Sequence, residues 1–92
     1  MASSVYCISY DLLQPNRDYS GLIEAIKSYS TWWHQTQSVW FILTEKTPVD
    51  IRTHLSQYID ADDKLFIIKV EKYWAGKGFS EKEYKWLHDN LK

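Results

Sequence analysis

Three short segments of this chain are apolar on both sides of a strand, and that restricts the folds open to it. Residues 39–43 (VWFIL) contain no polar position. In residues 64–70 (KLFIIKV), Phe66, Ile68 and Val70 fall on one side of an alternating strand, and Leu65 and Ile67 take the other. Residues 4–10 (SVYCISY) set Val5 and Cys7 against Tyr6, Ile8 and Tyr10. A sheet with one wet face shows polar residues at every second position. A sheet built from these segments instead needs cover on both faces.

The intervening sequence supplies helices. Residues 19–29 place Leu22, Ile23, Ile26 and Tyr29 on one helical face, with Asp18 as the expected N-cap. Gly21 in the first turn weakens that start by about 1 kcal/mol relative to Ala. Thr47 followed by Pro48 and Asp50 punctuates a second helix, whose stripe is Ile51, Leu55, Tyr58 and Ile59. The polar run 60–63 (DADD) ends it. Residues 31–35 (TWWHQ) and 38–44 (SVWFILT) are aromatic or β-branched and only a few residues apart, the pattern of an antiparallel hairpin or a bent strand pair. Pro15 and Asn16 mark a loop over residues 12–17. The order is strand, helix, strand, strand, helix, strand.

This predicts an α+β, ferredoxin-like βαββαβ domain over residues 1–72, with a four-stranded antiparallel sheet and both helices on one face. Residues 73–92 form a tail within the same domain. It begins as a loop (YWAGKG), then Ser80 and Glu83 give a capping box before a short helix carrying Tyr84, Leu87 and Leu91. The helix-free face can be covered in two ways. A second copy can pack on it by two-fold symmetry, or the tail can fold over it, and both can hold together.

A chain of 92 residues buries only about 60–65% of the surface its unfolded form exposes, so a partner adds stability. Its formal net charge of −1 carries no basic field for tight, non-specific nucleic-acid binding. The single cysteine, Cys7, allows no internal disulfide and fits a reducing compartment. Neither a signal-peptide pattern nor an apolar run near the roughly 20 residues of a membrane span is present, so the expected location is cytoplasmic with no membrane partner.

A strand ending in Asp (VYCISYD), a loop with Arg17, an amphipathic helix, the QSVWFI stretch, a Pro-started helix, an acidic turn and a final strand (DDKLFIIKV) together resemble a family. It is the superfamily of the small CRISPR-associated adaptation subunit and of virulence-associated protein D. The resemblance covers about residues 5–71. It implies a ferredoxin-like homodimer in which the Asp closing the first strand, here Asp11, comes from each protomer and binds a metal near the dimer axis. Arg17 and Ser38 transfer as neighbours in the catalytic set. It further implies either a Mg²⁺-dependent endonuclease of toxin or defence type, acting on RNA rather than DNA, or a non-catalytic dimeric scaffold that binds nucleic acid or, through its tail, a protein partner. The chain departs from the family in having only two arginines, Arg17 and Arg52, and in a tail unlike the extra strand that adaptation subunits use for docking. Those departures point to a stand-alone relative.

The residues themselves support several readings. Two Asp11 carboxylates near a two-fold axis suit an oxygen-ligated Mg²⁺; alternatively Asp11 only caps the turn, with Asn16 and Asp18 nearby. His34 is a candidate general base or a hydrogen-bonded strand residue. His54 is expected to face solvent, and His88 lies late in the tail. No spacing among the histidines and Cys7 matches a zinc site. Ser38 either orients a phosphate or satisfies local backbone. The five tryptophans are candidates for base stacking or, with more weight, for packing, Trp74 and Trp86 being the two flanked by lysines. The acidic turn reads as a solvated helix end, and the Gly-Lys-Gly run at 76–78 lacks phosphate-loop spacing.

Overall fold

The computed structural model describes residues 3–13 and 18–91. In chain order the elements are β1 (Ser4–Asp11), α1 (Ser20–Lys27), β2 (Thr31–Thr36), β3 (Val39–Thr44), α2 (Pro48–Ser56), β4 (Lys64–Lys69) and α3 (Glu81–Asn90). The strands form one antiparallel sheet in the order β2-β3-β1-β4. The domain is thus a small α+β unit with a four-stranded antiparallel sheet and three helices.

Register decides the two faces. Ile8 stands opposite Trp40 on one side and Ile67 on the other, and Tyr6 stands opposite Ile42. This face packs against α1 and α2, where Leu22, Ala25, Ile26, Ile51 and Leu55 complete a buried core. On the opposite face Val5 pairs with Leu43, Cys7 with Phe41 and Ile68, and Ser9 with Val39 and Phe66. There the tail forms a second core, in which Leu87 and Leu91 close over Val5 and Trp33. Two indole N–H groups fasten α3 to β2: Trp33 Nε1 donates to the Glu83 carbonyl at 3.0 Å, and Trp86 Nε1 donates to Thr31 Oγ1 at 3.0 Å. Of the two expected covers, the tail takes β2, β3 and the Val5 end of β1 on this face. Phe66 and Ile68 on β4 remain 60% and 51% exposed.

Local chemistry accounts for most helix boundaries. Thr47 and Asp50 close a reciprocal capping box around Pro48, and Ser80 and Glu83 do the same for α3. At α1 the expectation of Asp18 as N-cap is corrected. The cap is Tyr19, which makes no side-chain capping bond; Asp18 Oδ1 accepts from Ser20 N one residue earlier, and that bond lowers the pKa of its carboxyl. α2 ends at Ser56, short of the Tyr58 and Ile59 expected in its stripe, which pack on the core from the following turn. Gly21 has a reason to be glycine: a Cβ there would lie 3.0 Å from the Tyr58 ring.

The β2–β3 pair carries a bulge between Trp33 and Thr36, where β2 spends one residue more than β3. His34, next after Trp33, stacks on Trp40 across the strands, with ring centroids 3.7 Å apart and planes at 15°. None of the helices among the described residues is long and apolar enough to cross a membrane.

Candidate functional site

Asp11 closes β1 opposite Lys64, the first residue of β4. Strand alternation puts it on the face of Cys7 and Ser9, at the end of β1 away from Val5. Its side chain is exposed, and no hydrogen bond or ion pair with another described residue engages the carboxylate. The alternative reading of Asp11 as a cap for the turn, with Asn16 and Asp18 nearby, falls partly on residues outside those described, and Arg17 lies outside them as well. Ser38 lies in the β2–β3 turn, and its carbonyl accepts from Tyr10 N at 3.2 Å. It therefore neighbours Tyr10 at the end of the sheet where Asp11 sits.

The acidic turn is more than a solvated helix end. Asp63 accepts from Leu13 N at 2.8 Å, Tyr19 Oη at 2.9 Å and Asp60 N at 2.8 Å. Three donors on one carboxylate tie the exit of β1, just beyond Asp11, to the entry of α1 and the start of β4. Asp11 is thus held on a fixed backbone while its own carboxylate stays open to solvent.

Among the described residues, no three His, Cys, Asp or Glu side chains gather to hold a metal ion. Mg²⁺ keeps several waters and takes one or two carboxylates. The exposed Asp11 carboxylate fits one such ligand position.

The other sequence candidates serve packing. His34 Nδ1 lies 3.2 Å from the Val39 carbonyl. Trp33 and Trp40 are buried, Trp74 stacks on Tyr84 with centroids 6.2 Å apart, and Trp86 is tied to Thr31. Cys7 is half-buried, and burial pushes its thiol pKa up, away from a reactive thiolate.

His54 corrects an expectation. It is half-buried rather than solvent-facing, and its Nδ1 shares a 2.9 Å hydrogen bond with Tyr29 Oη. The pair borders a cleft of about 610 Å³ together with Ser28, Thr44, Lys46 and Asp50. Burial, followed by the Asp50 charge, raises the Tyr29 phenol pKa, so the phenol stays protonated and available to the imidazole. Tyr29 and His54 are 25 residues apart, and no local pattern in the sequence links them.

Tyr29→Phe is expected to lower stability by about 1 kcal/mol through loss of this bond. A folded pKa above the unfolded value favours the folded state below the ordinary phenol pKa of about 10, and that contribution is lost as pH rises through the folded value. The gap between wild type and Tyr29→Phe should therefore narrow in alkaline buffer. Urea melts at neutral and alkaline pH check both points, and a gap that widens with pH would contradict this account.

No protein-family model matches the chain, and no solved structure matches it.

Proposed function

We propose that this chain is a ferredoxin-like, stand-alone relative of the adaptation-subunit and virulence-associated protein D superfamily, and that two copies form a Mg²⁺-dependent endonuclease acting on RNA. One observation carries the reading: Asp11, at the end of β1 away from Val5, lies on the same face as exposed Phe66 and Ile68 of β4. A second copy packed on that strip removes apolar surface from water and brings two Asp11 carboxylates toward a shared axis.

Asp11 of each copy would hold the ion. When bound, Mg²⁺ supplies charge stabilisation on a phosphodiester oxygen and a water of lowered pKa. The chain's own part is positional. Asp63 pins the backbone beyond Asp11, and Lys64, opposite Asp11 across the strands, offsets the repulsion between two like charges near an axis. The scarcity of arginine favours the second reading, a dimeric scaffold without cleavage.

Asp11→Asn separates the two. The nuclease reading expects wild type to sediment as a dimer and to cleave single-stranded RNA with Mg²⁺ but not with chelator. Asp11→Asn should remain a folded dimer and fall to background cleavage, and Phe66→Lys should yield a monomer that does not cleave. A dimer that cleaves in no divalent metal selects the scaffold. A monomeric wild type, or undiminished cleavage by Asp11→Asn, removes the proposal.

A further inference from the structure

Between the sheet and the tail lies a cavity of about 250 Å³ that neither Asp11 nor the open strip uses. Its floor is Trp33, Val39 and Phe41; its walls are Trp74, Phe79 and Leu87. We propose that this cavity is a binding site for a small, uncharged, planar aromatic compound of one or two rings.

Size sets the first limit. Pockets for drug-sized ligands run from about 300 to 1,000 Å³, so this one takes less, on the scale of an indole or a substituted benzene. The lining sets the chemistry. None of the side chains bordering the cavity is charged, and their polar groups are the Thr36 hydroxyl and the indole N–H groups of Trp33 and Trp74. The Trp33 N–H is already committed to the Glu83 carbonyl. An ionic or strongly polar ligand would lose its hydration with almost nothing to replace it. Ring geometry favours an aromatic occupant over an aliphatic one. Trp33 stacks on Phe41 with centroids 5.1 Å apart at 22°, and meets Phe79 at 5.2 Å and 58°. A further ring between these groups and Trp74 extends the same mixture of offset and tilted contacts.

The cavity is also placed to respond to its ligand. Its floor belongs to β2 and β3, whereas its walls belong to the connection after β4 and to α3. A molecule bound there bridges the two layers and stabilises the docked tail by mass action. This inference is independent of the nuclease reading, because it involves neither Asp11 nor a second copy.

The test is titration of the full chain with indole, followed by calorimetry and by amide and indole N–H resonances. The expected result is saturable one-to-one binding with a Kd on the order of 0.1–1 mM, the range that about nine heavy atoms sustain. The Trp33 and Trp74 resonances should shift, whereas that of exposed Trp32 should not. Val39→Trp, which fills the floor, should abolish binding while keeping the wild-type circular dichroism spectrum. Tyr73→Ser, at a side chain 91% exposed, should leave it unchanged. If Val39→Trp fails to fold, the wild-type resonance map decides alone. Absence of saturation, shifts centred away from Trp33 and Trp74, or unaltered binding by a folded Val39→Trp overturns the proposal.

Discussion

Removal of residues 73–92 is expected to leave a chain that no longer folds as a stable monomer. The segment resembles an appendage in sequence, yet it supplies half of the second core. Leu87 and Leu91 are 4% and 9% exposed, over Val5 and Trp33 at 3% and 6%. Exposing a buried large apolar side chain costs about 1.5–3 kcal/mol. Losing two such residues and uncovering two more comes to roughly 6–12 kcal/mol, comparable with the whole stability of a domain, about 5–15 kcal/mol. The indole hydrogen bonds to Glu83 and Thr31 go as well. Thermal melts followed by circular dichroism should show no cooperative transition for the truncated chain, together with aggregation driven by the bared face. Leu87→Ala grades the same effect at about 2–5 kcal/mol. A truncated chain that melts cooperatively as a monomer near the wild-type temperature would show that the tail is dispensable, and would restore the bare face to a second copy.

That dependence explains which parts of the architecture the sequence discloses. Caps are local. Thr47, Pro48 and Asp50 lie within four residues, and Ser80 with Glu83 spans one turn, so their hydrogen bonds follow from spacing alone. The three strands that are apolar on both sides disclose that both faces of the sheet need cover. What covers the second face is a long-range question. Leu87 meets Val5 across most of the chain, and its helical stripe reads equally well against any apolar surface. The β2–β3 bulge is illegible for another reason. Nothing in TWWHQT marks where the extra residue falls. The α1 start misleads by a single residue, because Asp18 bonds Ser20 N equally well from outside the cap position. The Asp11 site is half legible. Strand alternation assigns its face, but the opening around it exists only because the tail covers the Val5 end of β1 and not the Asp11 end.

Trp40→Ala should be the most damaging single substitution among the strand residues. Trp40 is 2% exposed at the centre of the first core, directly across from Ile8 on the adjoining strand. His34 stacks on its ring at 3.7 Å, and Trp32 meets it at 5.3 Å and 56°. Its Nε1 donates to Tyr10 Oη at 3.0 Å, one residue before Asp11. Truncation to Ala removes the largest side chain from this core and costs about 3–5 kcal/mol. Trp40→Phe keeps most of the ring volume but leaves the Tyr10 hydroxyl without its donor, for about 1–2 kcal/mol through the lost bond and the smaller ring. The comparison separates packing from hydrogen bonding, and Tyr10→Phe closes the cycle. If the indole–phenol bond is real, Trp40→Phe and Tyr10→Phe combine less than additively in urea melts, because both remove the same contact. Strict additivity would place the value of Trp40 wholly in its packing. Loss of this bond also frees the Tyr10 ring at the end of β1. Trp40→Phe is therefore expected to raise amide hydrogen exchange at Tyr10 and Asp11 more than at Val5, at the strand's other end. Equal exchange at both ends would break the link drawn here between the aromatic core and the Asp11 backbone.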